Sequence, residues 1–91
     1  MATVIVTMKI MPSDPSSDLE QIRHKAEHEI ASFGGKVGKV NIEPVAFGLR
    51  SVNIIFAMDE SKGSTEELET KVAGIQHVNS VDIIDVRRAI G

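Results

Sequence analysis

The sequence predicts an α+β domain of the ferredoxin-like class, a βαββαβ sandwich with two helices on one face of a four-stranded antiparallel sheet. Three observations predict it. Apolar residues alternate with period two in the first and third of four strand-like segments, two capping-box signatures each open a run with helical apolar spacing, and the elements follow in the order strand, helix, strand, strand, helix, strand. The first and third strands are the richest in apolar residues, which suits the central pair of such a sheet.

Thr3 to Met11 is the first strand. Val4, Val6, Met8 and Ile10 alternate with Thr3, Ile5, Thr7 and Lys9, giving one apolar and one mixed face. Pro12 offers no ladder donor and stops it, and Ser13 to Ser16 is loop. Ser17 as N-cap and Glu20 three positions on form a capping box. Leu19, Ile22, Ala26, Ile30 and Phe33 then fall within about 80° of one another around a helix, a core-facing stripe that Gly34-Gly35 ends.

Lys36 to Ile42 is a weaker second strand, in which Gly38 marks a bulge or an edge position. Ser51 to Met58 is the third, with Val52, Ile54, Phe56 and Met58 on one face and Ile55 and Ala57 on the other. Asp59 to Gly63 is a polar turn. Ser64 with Glu67 opens a short helix carrying Leu68 and Val72 on one side and closing at Gly74. Val81 to Val86 is the fourth strand, with Arg87 and Arg88 at its end. The face without helices is expected to carry Thr3, Ile5, Thr7, Lys9, Asn53, Ile55 and Ala57. No repeat or composition break divides the chain, so residues 1–91 are expected to form one domain.

Composition excludes several functions. Apolar residues make up 42% and charged residues 25%, a soluble globular balance. The net charge of -3 argues against a broad nucleic-acid-binding surface, which needs excess Lys and Arg to displace counterions. Without cysteine there is no thiolate metal site and no cysteine nucleophile. No apolar run approaches the roughly 20 residues that span a bilayer, and no signal-peptide pattern precedes the first strand, so a cytoplasmic protein is expected.

Functions hosted by this fold elsewhere need residues that are absent or misplaced here. His24 and His28 have the i, i+4 spacing of a zinc pair, but they lie away from the apolar stripe among Glu20, Glu27 and Glu29, with no third ligand. Base stacking on a sheet needs aromatics on the open face, where this chain offers Ile and Thr. Ser, His and Asp occur in no triad arrangement, and His77 sits in a loop. No cofactor and no catalytic residue are expected.

Two segments remain. Ile42-Glu43-Pro44-Val45-Ala46-Phe47-Gly48-Leu49-Arg50 places an aromatic beside a glycine, beyond a proline that interrupts regular structure. Phe47 is either a lid folded over one end of the core or a protruding apolar knob. Asp85-Val86-Arg87-Arg88 places two fixed positive charges at a strand end, either a solvated terminus or a cationic tip.

These segments, with Gly63-Ser64-Thr65-Glu66-Glu67-Leu68-Glu69 and His77-Val78-Asn79-Ser80-Val81-Asp82-Ile83, resemble translation elongation factor one-beta over essentially the whole chain, in its short archaeal form. The resemblance implies a guanine nucleotide exchange factor that binds the GDP form of elongation factor one-alpha, speeds GDP release and lets GTP enter, with no bond made or broken. It implies a partner-binding set of Pro44, Phe47, Gly48, Arg50, Arg87 and Arg88. Phe47 stands where eukaryotic relatives carry a wedging aromatic. Arg88 stands where they carry a lysine aimed at the magnesium and phosphate region, and Arg87 is its neighbour. Arginine departs from that pattern, being a wide planar fork where lysine is a point charge on a thin stem. Two other readings of the fold are a small regulatory ligand-binding module, disfavoured by the lack of a glycine cradle in Ser13 to Ser17, and a ribosome-associated structural protein, disfavoured by the acidic balance.

Overall fold

A computed structural model describes residues 2–89. Its elements are β1 (Thr3–Pro12), α1 (Leu19–Phe33), β2 (Lys36–Pro44), β3 (Arg50–Asp59), α2 (Glu66–Ala73) and β4 (Val78–Arg88), with a single 3-10 turn at Glu60–Lys62. The strands form one antiparallel sheet in the spatial order β2-β3-β1-β4, the ferredoxin-like arrangement the sequence predicts. The apolar-rich β1 and β3 are its central pair.

Alternation decides which side chains are buried. Val6, Met8 and Ile10 of β1 and Val52, Ile54, Phe56 and Met58 of β3 are buried on one face. Against them pack Ile22, Ala26 and Ile30 of α1 and Leu68 and Val72 of α2, with Leu19 and Phe33 half-buried at the ends of the stripe. Burying each large aliphatic or aromatic side chain contributes roughly 1.5–3 kcal/mol, so this single layer holds the helices on the sheet.

Both helix starts differ from the capping boxes read in the sequence. The N-cap of α1 is Asp18, whose carboxylate accepts from Gln21 N at 3.2 Å, while Ser17 belongs to the preceding turn and Glu20 pairs with Arg23 at 2.6 Å. A carboxylate one residue closer to Leu19 outcompetes the serine for the free N–H groups. The N-cap of α2 is Thr65, and Ser64 Oγ accepts from Glu66 N at 3.0 Å instead of reaching position 67. The C-terminal end of α1 falls at Gly34, whose φ of 102° is the left-handed turn expected there.

The strands run longer than alternation indicated. Pro12 is the last residue of β1, opposite Val78, β2 continues through Pro44 at the sheet edge, and β4 starts at Val78 and includes both arginines. Three residues interrupt the ladders. Gly38 is the extra residue between Val37 and Lys39, and Ile84 and Asn79 are left without partners on β1 by register shifts in β4.

Candidate functional site

The sequence-predicted site residues fall into two groups at opposite ends of the sheet. Because β3 runs antiparallel to β1, and β4 does too, Arg50 lies at the end of Pro12, while Arg88 lies beside Val4. The length of β1 between them, ten residues, corresponds to about 30 Å. The molecule is correspondingly long, 42 × 21 × 17 Å along its principal axes.

At the first end β2 and β3 are joined by a tight hairpin. Pro44 and Arg50 form its last cross-strand pair, Val45 N donates to Leu49 O at 2.9 Å, and Leu49 N donates to Ala46 O at 2.9 Å. The two residues at the apex, Phe47 and Gly48, have φ of 56° and 76°. Positive φ at both central positions is the pattern of the type I′ hairpin turn, which matches strand twist. Gly48 accepts it freely and lies against Pro15, while a bulky aromatic such as Phe47 is strained there. Phe47 is 96% exposed, so the knob reading holds and the lid reading does not. Val45 is also exposed beside it. Arg50 is exposed and borders a depression shared with Ile42 and the start of α1, and it makes no ion pair among the described residues.

At the second end, Arg87 and Arg88 leave β4 on opposite faces. Arg87 Nε donates to Asp85 Oδ2 at 2.9 Å on the open sheet face. Arg88 lies on the helix-covered side and grips Glu60 with a two-pronged contact, Nε to Oε2 at 2.9 Å and Nη2 to Oε1 at 2.6 Å. This pairing raises the pKa of the Arg88 guanidinium, chiefly through the hydrogen bonds and then through the carboxylate charge. Glu60 is itself placed by the 3-10 turn that Asp59 caps and by its N–H donating to Ala2 O at 2.9 Å. Both side chains of the pair remain well exposed, so the contact is exchangeable.

Glu60 joins the tip through space alone. It is 28 residues from Arg88 in sequence, and nothing local distinguishes it from the other acids of a polar turn. Asp85 was legible in principle, since residues two apart on a strand share a face. His24 and His28 are exposed on α1.

A chain with an exposed aromatic turn at one end and two arginines at the other is matched over residues 5–89 by the model of the EF-1 guanine nucleotide exchange domain. The chain belongs to that family. Its relatives include elongation factor 1-beta of Methanothermobacter thermautotrophicus, 35% identical with 97% of this chain and 98% of the relative covered. Elongation factor 1-beta of Methanobrevibacter smithii is 38% identical with the same coverage, and that of Staphylothermus marinus 36% identical over 97% and 98%. Membership supports an exchange-factor role in translation elongation, consistent with a protein that works by binding.

Among solved structures, the chain resembles the ACT domain from a GTP pyrophosphokinase of Chlorobium tepidum, with TM-score 0.60, 15% identity and coverage of 88% of this chain and 96% of that one. It also resembles the C-terminal domain of the MgtC protein from Mycobacterium tuberculosis, with TM-score 0.60, 12% identity and coverage of 98% and 88%. At such identities these likenesses show the exchange domain's fold and nothing of its chemistry. No helix among the described residues is long and apolar enough to cross a membrane.

Proposed function

We propose that this chain, as one domain over residues 1–91, promotes exchange of GDP for GTP on elongation factor one-alpha in the cytoplasm. Its partner-binding residues are Pro44, Phe47, Gly48 and Arg50 at the hairpin end and Arg87 and Arg88 at the tip. The observation that carries the reading is Phe47, an almost fully exposed aromatic held at positive φ on the apex of the β2–β3 hairpin. A fold gains nothing from such a residue, whereas a binding surface does.

The sheet separates the apolar knob from the cationic tip by about 30 Å, so the two ends meet different places on the GTPase. Phe47 wedges into an apolar recess at one, and Arg88, released from Glu60, presents its guanidinium to the phosphate and magnesium region at the other. GDP is held there by its phosphates, the ion and backbone N–H groups. A protein cation aimed at that region is incompatible with full nucleotide contacts, so factor and nucleotide weaken each other by the same factor in equilibrium affinity. A nucleotide-free complex becomes accessible, and GTP with magnesium then expels the factor. No bond is made or broken, and no cofactor of this chain is needed.

The test is release of a fluorescent GDP analogue from elongation factor one-alpha under excess GTP. Wild type is expected to accelerate release at substoichiometric concentration, and Arg88→Ala to lose most of the acceleration with the fold intact. Acceleration that survives in Arg88→Ala but is lost in Arg87→Ala would transfer the role to Arg87. No acceleration by wild type would refute the function.

A further inference from the structure

The sheet face that no helix covers carries a feature with no part in the two-ended mechanism. Cross-strand register lays two adjacent rows on it, Arg87–Ile5–Ala57–Lys36 and Asp85–Thr7–Ile55–Lys39. The middle of both rows is half-buried and apolar apart from Thr7, and three of the four row ends are cations. The one carboxylate, Asp85, is already bonded by Arg87 at 2.9 Å. Lys36 and Lys39 make no ion pair among the described residues. In a chain of net charge -3 this is a local excess of positive charge around an apolar floor.

At the β2 side of these rows the bulge opens a depression of about 170 Å³, lined by Ile5, Lys36, Val37, Ile55, Phe56 and Ala57 about Gly38. Neither backbone nor crowding requires glycine at 38. Its φ lies outside the left-handed region, and a Cβ built there would meet only Ile55 O at 3.6 Å, an ordinary contact. Gly34 and Gly35 differ, the first needing φ of 102° and the second having Ile30 Cγ2 only 2.8 Å from where a Cβ would stand. Glycine weakens a strand, so a position that could carry a side chain and does not is explained by what must come close. The bare Cα forms part of the wall, and any larger residue takes volume from the depression.

We propose that this face docks an acidic surface segment of the GTPase, one apolar side chain entering the depression at Gly38 and flanking Asp or Glu carboxylates meeting Lys36 and Lys39. The occupant follows from charge complementarity and from continuity, because Arg87 both ends the first row and belongs to the tip. The identity of the occupant rests on the exchange reading. A nucleic acid fits less well, since the open-face rows offer no aromatic on which a base could stack.

The experiment measures the factor concentration giving half-maximal acceleration of GDP release from elongation factor one-alpha, for wild type, Lys36→Glu/Lys39→Glu and Gly38→Val. Both variants are expected to raise that concentration about tenfold while reaching the same maximal rate, with thermal midpoints no lower than wild type. The charge variant is also expected to flatten its dependence on salt, because two screened attractions are gone. Half-saturation within twofold of wild type in both variants would overturn the docking face and leave the exchange reading standing. Unchanged half-saturation together with lost binding of unacylated tRNA by the charge variant would overturn it in favour of RNA. No acceleration by wild type would overturn the exchange reading and this surface with it.

Discussion

Replacing Phe47 by asparagine separates what the fold needs at the hairpin apex from what a partner needs. Phe47 has φ of 56°, a conformation that costs a residue with a Cβ roughly 1–2 kcal/mol. At 96% exposure its ring has almost no packing to lose. Asparagine occupies the left-handed region several-fold more readily, through local hydrogen bonding of its short side chain. Phe47→Asn is therefore expected to stabilise the free protein by about 1 kcal/mol, or about 4–8 °C in thermal midpoint for a domain of this size. The same change removes the aromatic anchor. Anchors of that kind are worth about 2 kcal/mol or more, so half-maximal acceleration of GDP release should need roughly 30-fold more factor. A calorimetric scan and the release assay on one preparation give both numbers. A midpoint lowered by several degrees would mean that the ring packs on the protein, and a raised midpoint with undiminished exchange would mean that the knob is not a contact.

Glu60→Gln removes the charge holding Arg88, and with both partners exposed the thermal midpoint is expected to stay close to that of wild type. Half-maximal acceleration should then need less factor, because Arg88 no longer leaves a carboxylate to reach phosphate; a higher requirement would make Glu60 a positioning residue for the guanidinium instead. Acid should destabilise the protein through two turn carboxylates. Asp14 is held below the usual Asp range first by the Ser16 hydroxyl at 2.6 Å, and Asp59 first by the Ser61 N–H at 2.8 Å. Groups with depressed folded pKa values stabilise fully above about pH 4 and lose that contribution as pH falls through the folded values. The thermal midpoint of Asp14→Ala/Asp59→Asn should fall less steeply than that of wild type below pH 4, and parallel curves would exclude these two groups.

Most of the fold was legible because period and sterics act locally. Val6, Met8, Ile10, Val52, Ile54 and Phe56 declared a buried face by alternation alone, and Ile22, Ala26 and Ile30 declared the helix that covers it. The N-caps lie one residue beyond the serines that the sequence pattern favours, since Ser17-Asp18 and Ser64-Thr65 each offer two neighbouring oxygen-bearing candidates and final geometry decides between them. The exposure of Phe47 was undecidable from its neighbours. The same Pro-x-x-Phe-Gly spacing serves a folded-back lid or a projecting turn, and only the register of β2 on β3 selects the turn. The grip of Glu60 on Arg88 depends on β1 separating β3 from β4 in space, which no local pattern encodes.

The bulge at Ile84 has a consequence for which arginine does what. From Ser80 to Ile83, odd-numbered residues of β4 turn toward the helices, as Val81 and Ile83 do opposite Ile10 and Met8. Had the ladder run on unbroken, Arg87 would have come opposite Val4 and Arg88 would have pointed to the open face. One unpaired residue inverts the parity, so that Val86 and Arg88 take the helix-side positions and Arg87 the other. The two adjacent, chemically identical side chains thus receive their separate addresses from a single residue upstream. Deleting Ile84 while retaining the rest of β4 would leave the chain a choice between keeping its arginines in place and keeping its ladder regular.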